Sequence, residues 1–431
     1  MAITGRAALV ALLAVVVVAF SPAPGATLLV VNALLLLAIV FDVAVAAPIA
    51  ALHLTRRGET RARQGERADV TLTVHNVGPR IARAAVRDAW PPSAGSRPRV
   101  HNVVVPPGER RHLVTTLVPT RRGDRKAERI TVRCLGPLGL AGRQGRHLAP
   151  WTVRVLPRFD SRKHLPERLA RLRQLDGLVT VNRRGQGTEF DSLRDYVEGD
   201  DVRSIDWRAT ARRDAVVVRT WRPERDRRVV LVIDCGRTSA GRVGDTPRLD
   251  HSLDAALLVG ALASRAGDTI DFIAHDNRLR AAVRAGTRGD VLPNLVAAMV
   301  PLEAALLEAD HQAMVAQILR RHRQRALVLL FTDLNSAAIE EGLLPVLPGL
   351  TSRHSVLLAA VSDPRVDAMA AGRGSARAVY DAAAAERARG ERGRLTALLR
   401  RRGVEVVDAV PQGFAPAVAD RYLALKAAGR L

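Results

Sequence analysis

Apolar residues along the chain fall into three successive patterns. In the first, residues 7–20 form an unbroken apolar run that residues 3–5 extend. After the uncharged turn SPAPGA at 21–26, a second run continues from Thr27 to about Leu54. A bilayer crossing needs about 20 residues of α-helix, so the pattern predicts a transmembrane helical hairpin within residues 1–57, with helices at about 5–22 and 27–54. Arg6 and the run behind it also fit the start of a cleaved signal peptide, but no good small-x-small site follows and a second run begins at once. Basic residues flank the pair and spare its turn: Arg6 lies before it, and Arg56, Arg57, Arg61 and Arg63 lie after it. The positive-inside rule then puts both ends, and the folded bulk, on the cytoplasmic side of the inner or plasma membrane. Asp42 is the one charge within the second run. A carboxylate at a bilayer centre costs about 2.5–3.5 kcal/mol, so Asp42 either sits near one interface or makes a helix–helix or oligomer contact.

From Ala68 the pattern changes to short alternating stretches, ADVTLTVHN, IARAAVRDAW, VHNVVV, HLVTTLVP, RITVRCL and WTVRVLP, separated by turns rich in Gly and Pro. Alternation at period two with frequent turns predicts an all-β sandwich over residues 58–157. No catalytic constellation falls inside it, which leaves a spacer or an interaction module. From Arg228 to the end, residues 228–431, continuous apolar strands alternate with helices. VVLVID at 229–234, TIDFIAHD, ALVLLFTD at 326–333, SVLLAAVSD and VEVVDA read as strands, and RLRAAVRAG as a hairpin partner of the second. Helices are predicted at 249–267, at GDVLPNLVAAMV, at HQAMVAQILRRHRQR, at 378–402 and at 415–429. Repeated βα units of this kind make a doubly wound, mostly parallel α/β sheet. Ligands of such sheets sit beyond the carboxyl ends of the strands. Two strands end there in aspartate, Asp234 and Asp333. One such residue is commonplace as a helix N-cap; two from separate strands, meeting at one edge, are a hard-cation site in outline.

Residues 158–227 read as a linker carrying a dense mixed-charge block, RRGQGTEFDSLRDYVEGDDVRSIDWRATARRDAVVVRTW at 183–221. Its acids are Glu189, Asp191, Asp195, Glu198, Asp200, Asp201, Asp206 and Asp214. Between them stand Arg194, Arg203, Arg208, Arg212 and Arg213, and the block holds Phe190, Tyr196, Trp207 and Trp221. A solvated loop has no use for the aromatics. The block is either an internally packed, salt-bridged clasp or a surface that docks a partner, and no ligand spacing marks a metal site in it.

Composition narrows the function classes. The net charge of +23 points first to an anionic partner. Of the 66 basic residues, however, only Lys126, Lys163 and Lys426 are lysine, and so lopsided a choice in an alanine-rich chain reads as codon bias. Fourteen aromatics (4 Trp, 3 Tyr and 7 Phe) offer few faces for stacking bases, so no nucleic-acid partner is expected. None of the lysines stands in a Gly-Lys-Ser/Thr loop, which excludes a P-loop ATPase. Cys134 and Cys235 are 101 positions apart and form no CxxC, which argues against a structural zinc site or a disulfide framework. Neither HExxH nor GxSxG occurs.

The stretch GTEFDSLRDYVEGDDVRSIDWRATAR followed by a strand ending in Asp resembles the bacterial family catalogued as domain of unknown function 58. Its members join a membrane hairpin and a β-domain to a von Willebrand factor A-like domain, in the order seen here. The resemblance implies a metal-ion-dependent adhesion site, an Asp-x-Ser-x-Ser loop with a threonine and an aspartate from two further loops. Asp234 matches its first aspartate, Thr238 falls where the second serine would be, and Asp333 fits the third loop. Gly236 replaces the first serine, and the second loop, Leu307-Glu308-Ala309-Asp310, has no threonine. A magnesium ion there is accordingly weak or absent. The resemblance further implies a MoxR-type AAA+ ATPase as partner, alongside other membrane or envelope proteins and the lipid bilayer itself. The expected contact surface is the strand-end edge with Asp234, Arg237, Thr238, Ser239 and Asp333, together with the block from Glu189 to Trp207. The expected function is that of a membrane-anchored, non-enzymatic adaptor or assembly protein. The alternatives are a metal-dependent hydrolase built on the same aspartates and a basic binder of nucleic acid or lipid headgroups with steep salt dependence.

Overall fold

The computed structural model describes residues 1–182, 189–198, 200–212, 215–222, 227–284 and 290–431, with residues 176–182, 189–192 and 220–222 described by backbone alone. Arg213, Asp214 and the RRGQGT stretch of the charged block lie outside the described residues. The chain divides into two compact units, Met1–Leu156 and Pro157–Leu431.

In the first unit a two-residue strand β1 (Ala2–Ile3) leads into helices α1 (Gly5–Ala19) and α2 (Pro24–Val45). Eight strands follow: β2 (Leu52–Gly58), β3 (Arg61–Arg63), β4 (Ala68–Asn76), β5 (Ala82–Asp88), β6 (Val100–Val105), β7 (Arg110–Leu117), β8 (Gly123–Leu135) and β9 (Ala141–Leu156). One sheet runs β1-β9-β8-β5-β6 with β3 also on β9, and the other runs β2-β4-β7. Strand β4 alternates buried and part-exposed residues along its length, as a sheet with one covered face requires. Leu52, Leu54, Leu72 and Val74 of the small sheet pack against Ala84, Val86, Ile130 and Val132 of the large one, which makes the unit a two-sheet sandwich. Buried there, the Cys134 thiol is pushed up to about 11, far from reactive.

Helix α2 has 22 residues, about 33 Å at the α-helical rise, long and apolar enough to cross a membrane. Helix α1 has 15 residues and is shorter than a bilayer core of about 30 Å. The expectation of a second helix reaching Leu54 is corrected here: α2 stops at Val45, and Leu52 and Leu54 belong to β2. Pro48 supplies the physical reason, because it has no N–H to donate and holds Ala47 away from helical geometry. Arg56, which the sequence suggests as part of a basic flank, is inside the sandwich. It pairs with Asp88 at 2.5 Å and donates to the carbonyls of Ala127, Ala149 and Arg129.

The end of α2 is gripped by the sandwich. Asp42 is fully buried, and its carboxylate accepts from the backbone N–H groups of Leu138 at 2.8 Å, Leu140 at 2.6 Å and Ala141 at 3.0 Å. These amides belong to the β8–β9 turn, where a Cβ on Gly136 would stand 2.4 Å from the Asp42 carboxylate. Only glycine admits that approach. Carbonyls of the last turn of α2 are taken by arginines: Arg143 Nε donates to Val43 at 2.9 Å, and Arg80 Nη1 to Ala44 at 2.6 Å. Arginine is well suited to these otherwise unpaired acceptors, which carry the negative end of the helix dipole. Thr4 donates to the carbonyls of Gly139 and Leu140, and β1 pairs with Ala141 and Gly142. The start of α1 and the end of α2 therefore meet at one end of the sandwich.

The second unit opens with α3 (Leu165–Asn182) and a hairpin of β10 (Glu189–Asp195) and β11 (Val217–Arg222) that encloses α4 (Trp207–Thr210). Then come β12 (Arg228–Asp234), α5 (Arg237–Ala240), the short pair β13 (Arg242–Val243) and β14 (Thr246–Pro247), and α6 (Arg248–Arg265). Strands β15 (Thr269–His275) and β16 (Leu279–Arg284) precede α7 (Val291–Met299), α8 (His311–Arg321), β17 (Leu327–Phe331) and α9 (Leu347–Thr351). The chain finishes with β18 (Ser355–Val361), α10 (Pro364–Ala370), α11 (Ala376–Arg401), β19 (Val404–Ala409) and α12 (Pro411–Ala427). The six-stranded sheet has the order β16-β15-β12-β17-β18-β19 and is parallel except for β16. From β12, Val229, Leu231 and Ile233 face a core shared with α6 and α12, while Val230 and Val232 face one shared with α8 and α11. Helices thus cover both faces, which is why the strands are apolar throughout. Helix α3 is part of this unit and not a linker: Leu172 joins the core, and Arg168 and Arg171 pair with Asp420.

The Asp42 grip predicts a specific response. In Asp42→Ala the Leu138, Leu140 and Ala141 amides lose their acceptor, each unpaired buried group costing about 1–3 kcal/mol. Hydrogen exchange of those three amides should rise by well over tenfold while the rest of β8 and β9 stays protected. Unchanged exchange would contradict the grip.

Candidate functional site

Strands β12 and β17 are parallel neighbours, with Ile233 opposite Phe331. One step further along, Asp234 and Thr332 leave the carboxyl edge of the sheet side by side. The Thr332 hydroxyl donates to Asp234 Oδ2 at 2.7 Å, with Thr238 Oγ1 at 3.4 Å from the same oxygen. The Gly236 N–H donates to Oδ1 at 2.7 Å, and the Ser239 hydroxyl donates to the Asp234 carbonyl at 2.6 Å. Asp234 is 1% exposed. A buried carboxylate without partners is costly; this one is satisfied by its own loop and the next strand. A Cβ at Gly236 would lie 3.0 Å from Ala309 and from Asp234 Oδ1, so the glycine standing where the resembled motif has serine fits the close approach of the second loop.

That second loop is pinned to the first by backbone. Ala305 N–H donates to the Cys235 carbonyl at 2.7 Å, and Arg237 N–H to that of Leu307 at 2.8 Å. Arg237 reaches Glu308 at 2.9 Å, both exposed. Between these ties Leu306 is 80% exposed and Leu307 54%. Asp310 closes the loop by capping α8, accepting from Ala313 N–H at 2.8 Å.

Asp333 leaves the same edge, but its carboxylate has different partners. Arg392 Nη1 is 2.8 Å from one oxygen and Arg248 Nη1 3.6 Å from the other. Arg392 also binds Asp408, at 2.7 Å. Burial opposes the charge on Arg392, but Asp408 and Asp333 outweigh it and hold its pKa above the usual arginine value. Among the described residues no group of three or more His, Cys, Asp and Glu is arranged to hold a metal ion. Around Asp234 the two threonine hydroxyls both approach Oδ2, and Oδ1 accepts from the Gly236 amide.

The charged block divides between β10, β11 and the loop they enclose. Side chains of Glu189, Phe190 and Asp191 lie outside the described residues; their backbone is in β10. Arg194 pairs with Asp200 at 2.6 Å, and Asp200 also accepts from Val197 N–H. Asp201 accepts from Arg203 N–H. Asp206 caps α4, accepting from the Arg208 and Ala209 amides, and binds Arg219 at 2.7 Å. The Arg219 bond foremost holds the Asp206 carboxyl below the usual range. These acids build turns. Asp195 and Arg203 are exposed, and so are the apolar groups: Trp207 is 67% exposed, and Tyr196, Val197 and Val202 are also open. Sequence reasoning missed Thr332, Leu306, Leu307 and the arginines on Asp333. Thr332 alone had a signal, being one step along the strand from Asp333.

Burial pushes six histidines below their usual value of 6.5: His101, His147, His251, His311, His322 and His354. His311 lies near Asp234 and Asp310, whose charges only partly offset its burial, and near His275, which lowers it further. Asp254 moves the other way, raised to about 6 by burial. Below about pH 6.5 the unfolded chain takes up protons that these folded histidines refuse, so stability falls with pH. Asp254 gives back one group's worth between about 6 and its unfolded value. The melting temperature should therefore drop from pH 7 to 5.5; a flat or rising curve would contradict this balance. Separately, Asp234→Ala strands the Gly236 N–H and the Thr332 hydroxyl. A loss of about 1–3 kcal/mol should appear in chemical denaturation, and an unshifted midpoint would refute the network.

A stretch of 183 residues is 27% identical to uncharacterized proteins of Mycobacterium tuberculosis and Mycobacterium bovis, covering 42% of this chain and 57% of theirs. The chain thus spans little more than half the length of these relatives. Among solved structures, the CARDB domain of a Pyrococcus furiosus protein in complex with di-metal ions is 20% identical over 24% of this chain and 91% of that one, with a TM-score of 0.19. A PKD domain of an M14-like peptidase from a Thermoplasmatales archaeon is 13% identical over 24% and 91%, with a TM-score of 0.16. Likenesses this slight carry no argument. The family described as "Protein of unknown function DUF58" matches residues 192–407, from the β10 hairpin into β19, and the chain belongs to that family.

Proposed function

We propose that this chain is a membrane-anchored adaptor whose α/β unit, von Willebrand factor A-like in kind, binds protein partners at the carboxyl edge of its sheet. The observation that carries the reading is the exposed Leu306–Leu307 pair, held rigidly against the Asp234 loop and flanked by the Arg237–Glu308 ion pair. Exposed apolar residues rimmed by charge are a common mark of a protein-binding surface. Buried Asp234 then shapes the loop and ties it to Thr332 of the next strand. With its oxygens already bonded it is poorly placed to activate a water, which disfavours the hydrolase alternative. The exposed Trp207, on a hairpin ordered by its own acids, favours a docking surface over a packed clasp, since tryptophan is a frequent anchor at interfaces.

A MoxR-type AAA+ ATPase is the proposed partner, and we place both α1 and α2 in the membrane with their outer ends on the cytoplasmic side. The meeting of β1 and the end of α2 at one end of the sandwich supports a hairpin over a single crossing. The test uses the full chain in nanodiscs and a purified MoxR-type ATPase from the same genome. Leu306→Asp with Leu307→Asp should weaken binding at least about tenfold, the scale of losing 1.4 kcal/mol or more, with no change in melting temperature. Trp207→Ala should act in the same direction. Wild-type affinity in both variants would overturn the reading.

A further inference from the structure

Two turns of the sandwich grip the end of α2. The β4–β5 turn, residues 77–81, packs on the chain just after the helix: Val77 N–H donates to the Ala51 carbonyl, and a Cβ on Gly78 would stand 2.8 Å from Ala51 Cβ. Arg80 of this turn caps α2. The β8–β9 turn, residues 136–140, receives Asp42. Both turns end in apolar side chains that face outward, Val77 52%, Ile81 54% and Leu138 49% exposed, with Pro79 and Pro137 also open. Apolar tips on two separate turns, around the end of one apolar helix, form a ring that nothing in the sandwich covers.

Depth follows from the helix. A clamp of carboxylate and backbone amides does not belong in hydrocarbon, which leaves residues 24–41, about 27 Å of helix, for a core of about 30 Å. The clamp, and the turns that make it, then fall at the boundary between hydrocarbon and headgroups. Arg6, beside Gly139, and Arg80 and Arg143, on the helix carbonyls, stand in the same ring. Apolar tips with arginine stems suit that layer, where the side chain bends its charge towards phosphate and leaves its methylenes among the acyl chains. On this basis, and resting on the membrane-anchored reading above, we infer that the helix-proximal end of the β-sandwich is seated in the headgroup layer of an anionic bilayer, with Val77, Ile81 and Leu138 inserted below the phosphates. The sandwich is then a footing fixed to the lipid, and the Asp42 grip keeps it from swivelling on its anchor.

The test labels single cysteines in the full chain, whose own Cys134 and Cys235 are buried. Ile81→Cys and Leu138→Cys report the ring. Val118→Cys reports the far end, since Leu117 pairs with Ala68, at the opposite end of β4 from Asn76. Each carries an environment-sensitive fluorophore in vesicles of phosphatidylcholine with phosphatidylserine, read with nitroxide-bearing lipid and with a soluble quencher. Flotation at alkaline pH reports the anchor independently. The expected result is co-flotation, with lipid quenching at positions 81 and 138 at least about threefold that at 118, as insertion of a few ångströms requires. Co-flotation with equal quenching at all three positions overturns the inference and leaves the anchor standing. Shielding from the soluble quencher without lipid quenching also overturns it, because the ring is then covered by protein, such as a second copy. Failure to float removes the anchor and the inference together.

Discussion

A carboxylate taken out of water must be given partners, and the candidate site is organised around that demand at Asp234. Its two oxygens are satisfied from three directions: the Gly236 amide, the Thr332 hydroxyl on the neighbouring strand and the Thr238 hydroxyl on its own loop. This ties the ends of β12 and β17 together and sets the path of the loop through Arg237. The backbone bonds from Ala305 and Arg237 then fix the second loop to the first, and Leu306 and Leu307 are presented on a rigid base. A preformed surface of this kind loses less entropy on binding than a mobile one. The aspartate acts here through shape.

The same device recurs in the first unit with another outcome. Asp42 accepts three backbone amides, and the β8–β9 turn closes on the end of α2. In an aromatic-poor chain whose cores are mostly Ala, Val and Leu, nondirectional packing leaves orientation loosely defined. Hydrogen-bonded carboxylates supply direction. Asp88 on Arg56 and Trp90, Asp268 on Tyr422 and Lys426, and Asp333 on Arg248 and Arg392 serve likewise.

Much of the α/β unit was legible in the sequence. Strands buried on both faces read as unbroken apolar runs, and those ending in Asp234 and Asp333 were found with their edge. What sequence could not separate is apolar residues that face lipid from apolar residues that face a sandwich core. Residues 46–54 look like more membrane helix, yet Leu52 and Leu54 start a strand. The partners of Asp42 lie nearly a hundred residues away and are backbone amides, which leave no trace in side-chain identity. Arg248 and Arg392 were hidden by abundance, since one arginine among so many carries no signal. For Trp207 the pattern left clasp and surface both open, because charge density alone does not say which way a ring points.

The account rests most directly on the Leu306–Leu307 loop being a protein-facing contact. A photo-crosslinking amino acid placed at Leu307 of the full chain in its native membrane tests this in one step. The account predicts a defined crosslinked product containing a MoxR-type AAA+ ATPase, absent when the same group is placed at Val118 of the sandwich. The same faint products from both positions would contradict it.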